Sequence, residues 1–178
     1  MNPAIVIRRE TAADVDAIGE VTAIAFETLA ISPHTEQFII VALRAAGALT
    51  LSLVAERDGH VIGHIAFSPV TISGDTSTGT PNWYGLGPIS VLPAYQRQGV
   101  GKALMHAGLA QLQELHAQGC CLVGDPNYYR QFGFNNVPGL ILEGVPPEVF
   151  MALSFDGHMP QGTVAFHEAF VTTGENAG

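Results

Sequence analysis

The stretch from residue 85 to residue 124 constrains this chain most. "GLGPISVL" (85–92) is almost wholly apolar, which suits a central strand covered on both faces. Pro93 closes it, because proline has no N–H to give to a ladder. The segment 99–118 then carries Val100, Ala103, Leu104, Ala107, Leu112 and Leu115 on one face, the spacing of an amphipathic helix that Gly119 is expected to end. "CCLVG" (120–124) is a second short apolar run. Strand, helix and strand in that order form a crossover, and a crossover joins parallel strands.

The chain before this unit implies antiparallel pairing. Residues 51–56 and 61–72 are apolar runs separated by Asp58-Gly59, a strong hairpin turn pair. "IVIRR" (5–9) reads as a first strand. Thr11 with Asp14 resembles a capping box opening a helix that shows Val15, Ile18, Val21, Thr22, Ala25, Phe26 and Leu29 on one side. A second short helix is expected over 35–46, stopped by Gly47. Residues 74–81 read as an exposed polar loop. Pro126 starts a short helix that ends at Gly133, and two last strands are expected near 149–155 and 163–167. The sum is a mixed α/β sheet.

Two phosphate loops can be tested against "AYQRQGVGKAL" (94–104). A Walker A loop needs a glycine where Gln96 stands and a hydroxyl where Ala103 stands. A dinucleotide fingerprint needs a third glycine where Leu104 stands, and an acidic residue about twenty positions on, which is missing. Both fail. A helix start with free N–H groups still binds anions without either motif. Arg97 and Lys102, the latter the single lysine in the chain, form a small basic island there.

The 178 residues carry a net charge of -9, which argues against a nucleic-acid partner. The length and the 47% apolar content allow one folded domain, expected over 1–170, with a tail over 171–178. No linker or internal repeat divides it. No run reaches the ~20 apolar residues of a membrane span, and no signal peptide is visible, so a cytoplasmic protein is expected. Cys120 and Cys121 are adjacent in an apolar run and read as buried free thiols rather than nucleophiles. The histidines form no metal-binding pattern, so no metal is expected, and no G-x-S-x-G elbow is present.

Two motifs carry a resemblance. Gln96-x-x-Gly99-x-Gly101 directly after the strand 85–92 resembles the pyrophosphate loop of the GNAT superfamily of acyl-CoA-dependent N-acyltransferases. "YYRQFGF" (128–134), about 30 residues later, resembles that family's aromatic-Tyr-x-x-x-Gly-Phe segment. "LGPISVLPAYQRQGVGKAL" with "GDPNYYRQFGF" is similar, more narrowly, to the YhbS-like branch. The resemblance implies a GNAT-like fold, a central mixed twisted sheet of about seven strands flanked by helices, and acetyl-CoA as cosubstrate.

It also implies roles for residues. The diphosphate would sit on the loop that Gln96 opens, with the backbone N–H groups of Gln98, Gly99, Val100, Gly101 and Lys102 turned toward it and the side chains of Arg97 and Lys102 either reaching the phosphates or lying on the surface. The two central strands would splay, with pantetheine against the backbone of Ile89, Ser90 and Val91 and the Val91 N–H polarising the thioester carbonyl. Tyr129 would be the acid toward the CoA thiolate, with Tyr128 packing beside it. Asn127 would either cap its helix or touch the cofactor. Candidates for the base are His64 and Glu27; Trp83 and Tyr84 either line the acceptor pocket or cover the sheet edge. The expected activity is direct N-acetyl transfer to a small-molecule or peptide amine. The alternative is an acyl-CoA-binding regulatory or partner protein without efficient turnover. Dimers are common in the family, and the last strands offer a place to pair.

Overall fold

The hairpin and the crossover meet in one sheet. The structure, a computed structural model, describes residues 4–29, 32–74 and 81–171. In chain order its elements are β1 (Val6–Arg9), α1 (Val15–Glu27), α2 (Glu36–Ala45), β2 (Leu51–Arg57), β3 (His60–Pro69), β4 (Thr71–Ser73), β5 (Trp83–Val91), α3 (Val100–Glu114), β6 (Gly119–Val123), α4 (Pro126–Tyr129), β7 (Leu140–Ile141), β8 (Phe150–Ser154) and β9 (Gly162–Ala165). Most of the loop expected over 74–81, and all but the first residue of the expected tail, lie outside the described residues.

The central sheet runs β1-β2-β3-β5-β6-β8. β5 and β6 pair in parallel, as a crossover requires, and the other pairs are antiparallel. Asp58 and Gly59 take φ of 53° and 80°, the positive pair that a two-residue hairpin turn needs. Neighbouring residues of β2 face opposite ways: Leu53 and Ala55 pack with Leu104 of α3, while Val54 packs with Ile18 of α1 and Ile40 of α2. Helices therefore cover both faces. α3 lies close to the sheet because Gly108 stands over Phe67, where a Cβ would come within 2.6 Å of the ring.

Three expectations need correction. The run expected over 61–72 is two strands: β3 ends at Pro69, and β4 joins β9 and β7 in a separate three-stranded sheet. The central sheet therefore has six strands, and the strand expected near 163–167 belongs to the second sheet. Gly119 does not end α3, which stops at Glu114 with His116 turning at φ 65°. Gly119 opens β6 under Trp83, whose ring lies 2.3 Å from where a Cβ would stand.

At the first turn, Arg8 grips the Asp14 carboxylate with two nitrogens at 2.7 and 3.0 Å, and Asp14 also accepts the Thr11 N–H at 2.6 Å. The guanidinium is the main cause holding the Asp14 carboxyl well below the ordinary range.

Candidate active site

β5 and β6 hold each other over three residue pairs, Trp83–Gly119, Tyr84–Cys120 and Gly85–Cys121. Beyond Gly85 they part. The cause lies in the β3–β5 ladder, where Ile65 faces Ile89 but Phe67 faces Leu86. Two steps on β3 thus match three on β5. The extra residue makes a bulge around Gly87-Pro88, and Pro88 has no N–H to offer a neighbour. β6 keeps its ladder with β8 as far as Val123 and Phe150, so the gap opens on the β5 side.

The alternation of an antiparallel ladder decides which backbone groups face this gap. Leu92 donates its N–H to the Ile62 carbonyl at 2.9 Å, and Ser90 lies opposite His64. Leu92 and Ser90 therefore turn their peptide groups toward β3, and Ile89 and Val91 turn theirs away, toward the gap. The Val91 carbonyl accepts the Gln96 side-chain amide at 3.0 Å. Ser90 directs its hydroxyl toward Thr22 of α1, at 3.5 Å.

A cleft of about 490 Å³ lies over this gap. β5 contributes Ile89, Ser90 and Val91; the following loop contributes Gln96 and Arg97; the start of α3 contributes Gly99, Gly101 and Lys102. Tyr128, Tyr129 and Gln131 form the facing wall. The structure thus brings together most residues singled out in the two motifs, although they are about 30 positions apart. Arg97 and Gly99 take left-handed φ of 62° and 86° and swing the chain into α3. The N–H groups of the first turn have no carbonyl behind them, and the helix dipole adds positive potential. Neither Arg97 nor Lys102 forms an ion pair with any described residue.

Four of the singled-out residues stand apart from this lining. Val100 is buried and packs with Gly63 of β3 beneath α3. Gln98 is exposed and donates its side-chain amide to the Ala94 carbonyl at 3.0 Å. Asn127 is exposed and caps nothing; the Asp125 side chain is the cap, accepting the Asn127 N–H at 2.9 Å. His64 is fully buried and does not line the cleft.

The surroundings of His64 explain its placement. It extends from β3 beside Ser52 of β2, with Nε2 at 2.7 Å from the serine oxygen. The Ser52 hydroxyl donates to the Glu10 carboxylate, so its one proton is committed. Nε2–H is then the donor to Ser52, and Nδ1 is left unprotonated and without a partner among the described residues. The imidazole pKa is held down to about 4, mainly by burial, with Glu10 opposing and Arg44 adding to the lowering.

The other candidates sort similarly. Glu27 is exposed at the end of α1. Trp83 is buried beside Cys121 and Phe150, and Tyr84 is half-buried at the edge of the main core. Cys120 and Cys121 are buried free thiols whose pKa values burial raises, which makes them inert packing groups. Among the described residues no group of His, Cys, Asp and Glu side chains comes together to hold a metal ion. No described helix is long and apolar enough to cross a membrane.

Tyr129 is held in the cleft through its ring. Its ring lies on Gly124, where a Cβ would come within 2.4 Å, and meets Tyr128 edge-on at 4.9 Å. Its hydroxyl has no hydrogen-bond partner among the described residues. Burial, then Tyr128 and Asp125, push its pKa up to about 12, so it carries its proton at neutral pH. Sequence reasoning assigned Tyr128 to packing and overlooked Gln131. Both line the cleft, and Gln131 ties its amide to the Tyr128 carbonyl at 2.8 Å. Their spacing of three on a helical turn was the available signal.

The chain is similar to known proteins. Residues 49–136 match the family model of the acetyltransferase (GNAT) domain. The chain is 37% identical to the uncharacterized N-acetyltransferase YhbS of Escherichia coli K12 over 131 residues, 73% of each chain. A GNAT family acetyltransferase from Brucella melitensis, solved in complex with acetyl-CoA, is 50% identical, with a TM-score of 0.82 over 94% of this chain and 98% of that one. Escherichia coli YhbS, solved in complex with CoA, is 32% identical, with a TM-score of 0.85 over 98% and 97%.

Proposed function

This chain belongs to the GNAT superfamily of N-acetyltransferases, close to its YhbS-like branch, and we propose that it moves an acetyl group directly from acetyl-CoA to a primary amine in the cleft beside β5. One observation carries this reading: the uncapped first turn of α3 and the phenol of Tyr129 border one cleft, floored by the outward-facing backbone of Ile89 and Val91. The acetyl-CoA and CoA complexes of the two relatives supply the ligand class.

Each part has a task. The N–H groups at the start of α3 receive the diphosphate, and Arg97 and Lys102 add positive charge. Gly99 and Gly101 allow the phosphates close to the backbone. The peptide groups of Ile89 and Val91 pair with the pantetheine amides in place of the missing strand. The Val91 N–H donates to the thioester oxygen as negative charge grows there, a contribution of about 3 kcal/mol for such donors. The amine nitrogen attacks the carbonyl carbon, the C–S bond breaks, and the thiolate takes the Tyr129 proton. The proton lost by the amine goes to solvent water, because among the described residues no Asp, Glu or His lines this cleft.

That same absence of a titratable base favours a second reading, a protein of this fold that binds acyl-CoA without efficient turnover. Thiol release from acetyl-CoA with a panel of amines, for the native protein beside Tyr129→Phe, separates the two. Release that depends on the amine and falls in the variant supports transfer. CoA binding without release from any amine supports the second reading.

A further inference from the structure

A second cavity, of about 410 Å³, approaches β5 at the bulge itself. Leu86, Gly87 and Pro88 line it, and Val123 at the end of β6 lines it too. These residues flank the gap between the parted strands, and the cleft over Ile89 to Val91 borders the same gap. The second cavity is walled by α1 and α2 and by the chain's last described turn. Its surface is almost entirely apolar, with Phe26 of α1 and the ring pair Phe166 and Phe170, whose centroids are 5.1 Å apart. Among the described residues the one charged lining residue is Glu36, at the first position of α2.

Glu36 is an unusual wall. It is 8% exposed. One carboxylate oxygen accepts the Ser32 hydroxyl, and the other, Oε2, is buried without a hydrogen-bond partner among the described residues. No described cation pairs with it. A carboxylate that is nearly buried and half-satisfied calls for a donor, and an ammonium or amine supplies several. The rest of the wall calls for an apolar body.

We propose that this cavity is the acceptor site, and that it takes a primary amine carrying an apolar aromatic or aliphatic group, with Glu36 receiving the amine's N–H groups. The proposal rests on the transfer reading above. It also accounts for the lack of acidic residues among the described lining of the first cleft: the group that recognises the amine stands on the other side of the strand gap.

The test uses 2-phenylethylamine and ethanolamine as acceptors, with thiol release as the readout and calorimetry of CoA binding alongside. The native protein should favour 2-phenylethylamine by about 100-fold in kcat/KM, the worth of one buried aromatic group. Glu36→Gln, nearly isosteric, should raise the KM for that amine about tenfold. Its CoA affinity should stay unchanged. Equal use of the two amines by the native protein, which needs no variant to fold, overturns the apolar acceptor class. An unchanged KM in Glu36→Gln overturns the role of Glu36. CoA binding with no release from either amine overturns the acceptor site and leaves the second reading of function. Absence of CoA binding removes the transfer reading itself.

Discussion

Gly101 at the start of α3 and Tyr128 on the facing wall nearly touch: a methyl group on Gly101 would lie 3.3 Å from the phenol oxygen of Tyr128. The two motifs are therefore the two lips of one cleft. Gly101→Ala is expected to fold, because the neighbouring atom is the far end of a side chain that is 37% exposed. Alanine inside a helix gains up to about 1 kcal/mol over glycine, so the melting temperature should not fall. The added methyl narrows the phosphate end, and CoA affinity should drop about tenfold or more by calorimetry. A stable variant with native CoA affinity would contradict the placement of the diphosphate.

Tyr129→Phe separates binding from chemistry. CoA affinity should stay within about threefold, and kcat should fall by about 100-fold, the lower end for loss of an acid. The pH profile adds a second readout. With its pKa pushed up to about 12, the native hydroxyl stays protonated through the whole neutral and mildly alkaline range. Tyr129 should thus cause no loss of kcat between pH 7 and about 10. A raised folded pKa also means that its contribution to stability is present below about pH 10 and is lost as pH rises toward 12. Thiol release and urea unfolding across that range check both statements.

Acid should destabilise the fold in two stages. His64 has a lowered pKa in the folded state, so the unfolded chain takes up its proton first as pH falls. Its contribution is full above about 6.5 and is lost down to about 4, on the order of 3 kcal/mol in total. Asp14, held low by Arg8, follows below the ordinary carboxylate pKa of about 4. Urea unfolding from pH 7.5 to 4.5 should show the first stage, and His64→Met should flatten it. An equal slope in native protein and variant would show that His64 is not the group responsible.

Gly119→Ala should destabilise by about 2 kcal/mol or more, the usual range for overpacking. The new Cβ would stand 2.3 Å from the Trp83 ring, which is 2% exposed and has no room to move. Denaturant unfolding measures this directly, and a neutral result would mean that β6 does not begin where Gly119 meets Trp83.

The features legible in sequence were those with local causes. The crossover unit was visible because an apolar strand, a 3.6-residue pattern and a second apolar run follow one another within 40 residues. The two lips of the cleft were visible through Gly99, Gly101 and Tyr129, whose residue types matter at fixed local spacing. The second sheet was hidden because its strands have three, two and four residues, too short to show a period. His64 looked like a candidate base until β2 and Glu10 arrived to enclose it, which no local pattern records. Glu36 was passed over for a related reason. A glutamate in the first turn of a helix ordinarily faces solvent and complements the dipole, and no local pattern shows that this one is buried in the wall of a cavity shared with the distant Phe166 and Phe170.

A crystal structure with CoA bound tests the central claim most directly. The account predicts diphosphate oxygens within about 3 Å of the N–H groups opening α3, pantetheine along Ile89 and Val91, and the sulfur beside the Tyr129 hydroxyl. A nucleotide bound elsewhere, with that helix start bare and Tyr129 far from the sulfur, would contradict it.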